Sequence, residues 1–251
     1  MSTQQHPLGI SFEFFPPNTD AGREKLVGVR DALARREPRF FSVTYGAGGS
    51  TQDRTLNTVR MVRESGFTTA PHLSCIGSDK GALRERLSRY REEGIDSLVA
   101  LRGDMPSGTG GGGIGQLRYA NELVEFIREE TGDHFEIAVA AYPESHPQAA
   151  NLEHDLTNFA RKMKAGADIA ITQYFFSAEA YFHFVERARA LGVGAPIVPG
   201  IMPITNYTKL ARFSDAGGAE IPRWIRKQLE AYGDDSEAIG AFGEEGVSRL
   251  C

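Results

Sequence analysis

One carboxylate, Glu13, stands in the segment Gly9-Ile-Ser-Phe-Glu-Phe-Phe-Pro-Pro17, with Phe12, Phe14 and Phe15 as its sequence neighbours. A carboxyl in apolar surroundings resists ionisation because the charged form loses hydration, and its pKa then climbs by several units. Such a group carries a proton near neutral pH and can donate it. An ordinary Glu, with a pKa near 4.3, is protonated in only about one molecule in 500 at pH 7. A strand-end Glu paired with a Lys or Arg reads equally well from this segment alone.

Further polar groups recur along the chain in similar settings. They lie in Ser42-Val-Thr-Tyr-Gly-Ala-Gly-Gly49, Pro71-His-Leu-Ser74, Leu101-Arg-Gly-Asp-Met-Pro106, Ala141-Tyr-Pro-Glu-Ser-His-Pro147, Thr172-Gln-Tyr-Phe-Phe176 and Val198-Pro-Gly-Ile-Met-Pro203. Each alone admits a structural reading: His72 as a core histidine, Gln173 as an interior amide, Tyr142 and Tyr174 as core aromatics. What is missing narrows the chemistry. No G-x-S-x-G nucleophile elbow occurs, and Cys75 has no activating neighbour in sequence. His72, His146 and His154 lack the spacing of a metal site, so no metal is expected. The run Gly108-Thr-Gly-Gly-Gly-Gly113 lacks the Lys-Ser/Thr of a P-loop and reads as a mobile loop, or as a lid, since it closely follows Asp104. With no side chain suited to covalent or metal chemistry, an organic cofactor is the natural inference.

These groups need a scaffold, and the chain repeats one. Strand-type runs at 9–15, 40–45, 69–76, 97–102, 135–142, 168–175 and 196–201 recur roughly every 30 residues. Helical patterns fill the intervals, as in Leu56, Val59 and Val62 before Gly66, or Leu83, Leu87 and Tyr90 before Gly94. Alternating strands and helices imply an α/β fold with a parallel sheet. The steady period, with no G-x-G-x-x-G after the first strand, favours a (β/α)8 TIM-type barrel over a doubly wound sheet. Residues 1–251 then form a single catalytic domain. The pattern supplies seven strands, so the eighth is expected beyond Cys251, past the helical segment 235–251; the alternative is a barrel open between its first and seventh strands. In such barrels the chemistry sits at the C-terminal strand ends, which is where the polar segments fall.

A net charge of −5, with Arg84, Arg86, Arg89 and Arg91 interleaved with Glu on one helical face, gives no reason to expect nucleic acid. No run of 18 apolar residues suggests a membrane span, and Met1 to His6 lack the apolar core of a signal peptide. Two cysteines, Cys75 and Cys251, suit a reducing compartment, so a cytoplasmic protein is expected.

Taken together, Ser11-Phe-Glu-Phe-Phe-Pro-Pro17, Val43-Thr-Tyr-Gly-Ala47, Ala70-Pro-His-Leu-Ser-Cys75, Ala100-Leu-Arg-Gly-Asp104, Ala140-Ala-Tyr-Pro-Glu144, His146-Pro147, Ala170-Ile-Thr-Gln-Tyr-Phe-Phe176 and Pro199-Gly-Ile-Met-Pro203 resemble methylenetetrahydrofolate reductase of the short bacterial type. The resemblance implies a barrel with FAD at the strand ends and a ping-pong reaction. NADH or NADPH reduces the flavin, and the flavin then reduces 5,10-methylenetetrahydrofolate to 5-methyltetrahydrofolate. It makes Glu13 the general acid and Asp104 a carboxylate near flavin and pterin, and gives Gln173, Tyr207, Asp104 and Thr44 contacts to substrate. Tyr207 stands where some members place a Phe. FAD contacts would come from Thr44, Tyr45, Ala47, His72, Arg102, Gly103, Asp104, Tyr119, Ala120, Tyr142, His146, Ala149, Asp155, Asn158, Arg161 and Lys162. Arg161 and Lys162 would face the pyrophosphate, although both also read as a solvated helix face. A homo-oligomer, dimer or tetramer, is expected on the same ground. Two alternatives stand beside this: another barrel enzyme, such as a flavin dehydrogenase or pterin-binding transferase, and a truncated flavin-binding barrel without folate reductase activity.

Overall fold

The computed structural model describes residues 9–45, 49–103 and 115–251. Strands and helices alternate along it: β1 (Phe12–Phe14), α1 (Asp20–Ala34), β2 (Phe41–Val43), α2 (Gly49–Arg63), β3 (Thr69–Ser74), α3 (Lys80–Glu92), β4 (Ser97–Leu101) and α4 (Ala120–Thr131). Then follow β5 (Glu136–Ala141), α5 (Leu152–Lys164), β6 (Ile169–Thr172), α6 (Ala178–Ala190) and β7 (Ile197–Val198). Three helices complete the order, α7 (Tyr207–Gly217), α8 (Arg223–Tyr232) and α9 (Ser236–Leu250), where the sequence pattern marks only the last. All seven expected strands are present, and the α/β class is the one expected.

The described residues divide into two compact units, Met1–Ala138 and Val139–Cys251. In the first, β1, β2, β3 and β4 pair in parallel, in chain order. The register sets Glu13 beside Ser42, and Ser42 beside Ala70. Paired residues in a ladder share a face and residues two apart on one strand do too, so Glu13, Ser42, Ala70 and His72 form one row. In the second unit the Gln173 amide donates to the Ala141 carbonyl at 2.7 Å, and β6 pairs in parallel with β7.

Local chemistry fixes the helix ends. Thr19 accepts from the Gly22 amide, Asp79 from Ala82, Asn151 from His154 and Asn206 from Lys209, each a side-chain cap on an orphan donor. Gly66 and Gly94, expected to close α2 and α3, adopt φ of 87° and 68°, a region costly for any residue with a Cβ.

Around β1 the core is aromatic. Phe41 is fully buried, with its ring 5.1 Å from that of Phe14 and 6.0 Å from that of Phe12, both stacked. Phe67 meets Phe41 edge-on at 5.5 Å, and Val62 of α2 is buried in the same cluster. In the second unit Tyr174, Ile204, Leu210, Ile225, Leu229 and Ile239 form the core that seats α7, α8 and α9. Because Phe41 is the centre of the stack, Phe41→Ala is expected to cost about 3–5 kcal/mol. Urea denaturation would show this as a lower midpoint, with a smaller fall for Phe41→Leu.

Candidate active site

The strand alternation that builds the aromatic core decides the setting of Glu13. Phe12 and Phe14 pack against Phe41, on the face opposite Glu13. Phe15 shares the Glu13 face but is 63% exposed. The three phenylalanines therefore do not enclose the carboxyl, and the expectation of an apolar pocket is corrected. Its neighbour is His72 on β3, with Nε2 3.4 Å from Glu13 Oε2. The Glu13 side chain keeps 51% of its surface, whereas His72 is buried. Short side chains at Ser42 and Ala70 between them in the row leave room for the contact.

Electrostatics follow from this pair. Partial burial pushes the Glu13 carboxyl up, but the adjacent imidazole of His72 outweighs it and holds the pKa below the usual carboxylate value. In the free protein Glu13 is therefore a carboxylate at neutral pH, opposite to the reading from its neighbours in sequence. Among the described residues, buried His72 Nε2 has no partner that satisfies hydrogen-bond geometry, and a buried polar atom left so is costly. It is a place for a ligand acceptor.

The neighbouring strand ends carry the rest of the first unit's set. The Thr44 amide donates to the Phe14 carbonyl at 2.9 Å, and the Thr44 carbonyl accepts from Thr55 Oγ1. Tyr45 lies under Arg86, whose guanidinium sits 5.5 Å from the ring centre and donates to the phenol oxygen at 3.1 Å. Arg86 is thus half-buried against Tyr45, whereas Arg84, Arg89 and Arg91 are exposed, as expected of a solvated face. Arg102 Nε donates to the Gly103 carbonyl, while Ser74 Oγ donates to the Arg102 carbonyl at 2.8 Å. Gly103 has φ of 85°, and a Cβ on it would fall 1.9 Å from Ser74 Oγ, so only glycine fits. Ser74 escapes a reading by residue type, though its place two residues after His72 puts it on the same face. Tyr119 and Ala120 lie at the start of α4, with Tyr119 58% exposed. Asp104, Ala47 and the run 108–113 lie outside the described residues. Burial pushes the Cys75 thiol up to about 11, which leaves it a poor nucleophile.

A second set gathers within residues 139–251. The His146 amide donates to Asp155 Oδ2 at 2.8 Å, and the Tyr142 and His146 rings meet edge-on at 4.6 Å. The Ala149 amide donates to the His146 carbonyl, closing the turn before α5. Lys162 Nζ donates to the Ala140 carbonyl at the end of β5. Burial pushes the Lys162 ammonium down to about 8, and the charge of Asp155 offsets part of that. Arg161 donates to Asn158 Oδ1 at 3.1 Å in an exposed hydrogen bond one turn along α5. Gln173 directly follows β6, and Tyr207 is the first residue of α7. Glu144 accepts from the Glu220 amide at 2.7 Å, and burial raises its pKa.

His72 Nε2, with Glu13 Oε2 3.4 Å away, makes no geometrically satisfied hydrogen bond among the described residues. Lys162 is a desolvated cation that hydrogen-bonds, among the described residues, to the Ala140 carbonyl.

Comparison with known proteins agrees with the motifs. The model of the family described as methylenetetrahydrofolate reductase matches residues 2–251. The chain is 42% identical over 240 residues to 5,10-methylenetetrahydrofolate reductase of Pectobacterium carotovorum subsp. carotovorum, covering 95% of this chain and 78% of that protein. It is 40% identical over 240 residues to the Escherichia coli (strain K12) protein of the same name, covering 95% and 79%. A solved structure, described as an uncharacterized protein from Clostridium thermocellum that binds two copies of 5-methyl-5,6,7,8-tetrahydrofolic acid, superposes with a TM-score of 0.67 at 17% identity. It covers 96% of this chain and 82% of that one, a likeness of fold.

The Glu13–His72 contact makes a definite titration prediction. In His72→Gln the downward pull is lost, burial acts unopposed, and the Glu13 pKa rises, as followed by carbon NMR of its carboxyl. A depressed folded-state pKa gives stability that is present above the unfolded value and lost as pH falls through the folded one. The wild type is accordingly expected to lose its advantage over His72→Gln in that acid window.

Proposed function

The chain belongs to the methylenetetrahydrofolate reductase family of oxidoreductases, and on that premise we propose that it reduces 5,10-methylenetetrahydrofolate to 5-methyltetrahydrofolate, with FAD as resident cofactor and NADH or NADPH as reductant. The observation that carries the reading is a half-exposed carboxyl, Glu13, facing a buried, unsatisfied imidazole, His72, at the C-terminal ends of β1 and β3. Bound FAD would supply a two-electron carrier between the nicotinamide and the folate.

Glu13 is the general acid. Its open half gives substrate access to the carboxyl, and a substrate that covers that half removes water and raises the pKa. A ligand acceptor that engages His72 Nε2 weakens the pull on Glu13 in the same direction. The group is thus ionised when free and gains a proton as the site fills. It delivers that proton to the folate amine as the five-membered ring opens, and recovers one from solvent afterwards. Gln173, Tyr207 and Thr44 orient the substrates. Asp104 completes the substrate set by resemblance to the family.

FAD would lie along Thr44, Tyr45, Ala47, His72, Arg102, Gly103, Asp104, Tyr119 and Ala120, and along Tyr142, His146, Ala149, Asp155, Asn158, Arg161 and Lys162. Arg161 and Lys162 offset the pyrophosphate charge. Among the described residues no helix is long and apolar enough to cross a membrane. A cytoplasmic homo-oligomer, with one catalytic barrel domain per chain, completes the proposal.

Purified protein should be yellow, bleach with NADH and regain colour with methylenetetrahydrofolate. Glu13→Gln is expected to keep the first half-reaction and slow the second by at least about 100-fold. A colourless protein that takes up no FAD contradicts the reading, and equal loss of both half-reactions contradicts the acid role. Bleaching without reoxidation by folate would favour the flavin-binding barrel that lacks reductase activity. Lys162 loses its charge as pH rises through about 8, and a bound phosphate raises that pKa. FAD affinity should therefore weaken above that pH, whereas Lys162→Met should bind more weakly below it and show a flatter profile in equilibrium titration.

A further inference from the structure

The Gln173 carboxamide has a defined seat. Its Oε1 accepts the Tyr174 backbone N–H at 3.0 Å, and its Nε2 donates to the Gly217 carbonyl at 3.4 Å. Gly217 is the last residue of α7, inside the helix, so its backbone does not call for glycine, and alanine is the better helix former. What calls for glycine is space. A Cβ on Gly217 would lie 2.5 Å from Gln173 Nε2 and 3.4 Å from its Cδ.

The helix end cannot retreat to make room. Near the end of α7, the Tyr174 hydroxyl and Ser214 Oγ meet at 3.0 Å in a buried hydrogen bond. Gly218, with φ of 74°, ends the helix against Pro147 and the Ser145 carbonyl, which a Cβ there would approach to 2.8 and 2.9 Å. With α7 pinned on both sides, any side chain at 217 must displace the carboxamide.

We propose that Gly217 is a positioning residue for the reductase reaction: lacking a Cβ, it lets the Gln173 carboxamide lie against the last turn of α7 in the orientation that meets substrate. The inference rests on the substrate role proposed above for Gln173. A methyl group at 217 turns the amide off the Gly217 carbonyl and presents the wrong atoms to both substrates, while α7 itself gains helix propensity.

The test is a double-mutant cycle of Gly217→Ala, Gln173→Ala and the two combined, with each substrate varied in turn. Gly217→Ala is expected to raise KM for nicotinamide and folate on the order of tenfold, with FAD content kept and no fall in Tm. In the Gln173→Ala background it should cause no further loss, because the group it displaces is gone. Unchanged KM values, or losses that add in the combined variant, overturn the proposal. The side-chain amide resonances of Gln173, identified by their disappearance in Gln173→Ala, give a readout independent of turnover. They should move in Gly217→Ala, and their staying in place would overturn the proposal as well. A wild type never reoxidised by methylenetetrahydrofolate would sink the proposed function, while the amide resonances still decide the positioning.

Discussion

The two-residue period of β1 is the constraint from which the first unit's site follows. It sends Phe12 and Phe14 into the stack around Phe41 and leaves Glu13 on the other face. There the parallel register aligns it with small side chains and with His72. Had the segment slipped by one residue, the carboxyl would face the aromatic core and the ring of Phe14 would face the strand-end groups. The same burial that stabilises the strand thus fixes which chemistry the strand end presents.

That arrangement changes the role of the aromatic residues. They do not make Glu13 an acid by enclosing it; they hold the strand so that an imidazole can set its charge. A carboxyl kept ionised by a neighbour, and half open to solvent, responds to whatever covers it. Loss of water and engagement of His72 both shift it toward the protonated form. On the proposed mechanism, proton donation is then a property of the filled site, and ring opening would be restricted to bound substrate.

Much of this was legible in the sequence. All seven strands, and the helices closed by Gly66 and Gly94, follow from apolar spacing and glycine positions, because those signals are local. The strand-end location of Thr44, His72, Arg102, Tyr142 and Gln173 was legible for the same reason. Helices α7 and α8 were not, since Pro203, Gly217-Gly218 and Pro222 break that stretch into short pieces with few apolar repeats. The ionisation of Glu13 was misread because neighbours in sequence on a strand are not neighbours in space. Arg86 on Tyr45, Ser74 under Gly103 and Gly217 against Gln173 are contacts between distant segments, beyond the reach of any local pattern.

The central claim is that Glu13 is ionised in the free protein and protonated once substrate fills the site. Infrared difference spectra at neutral pH, wild type minus Glu13→Gln, test it most directly through the carbonyl band of a protonated carboxyl. No such band is expected in the folate-free, FAD-loaded protein, and it should appear when the oxidised protein is saturated with 5-methyltetrahydrofolate. A band already present without folate, or none at saturation, would contradict it.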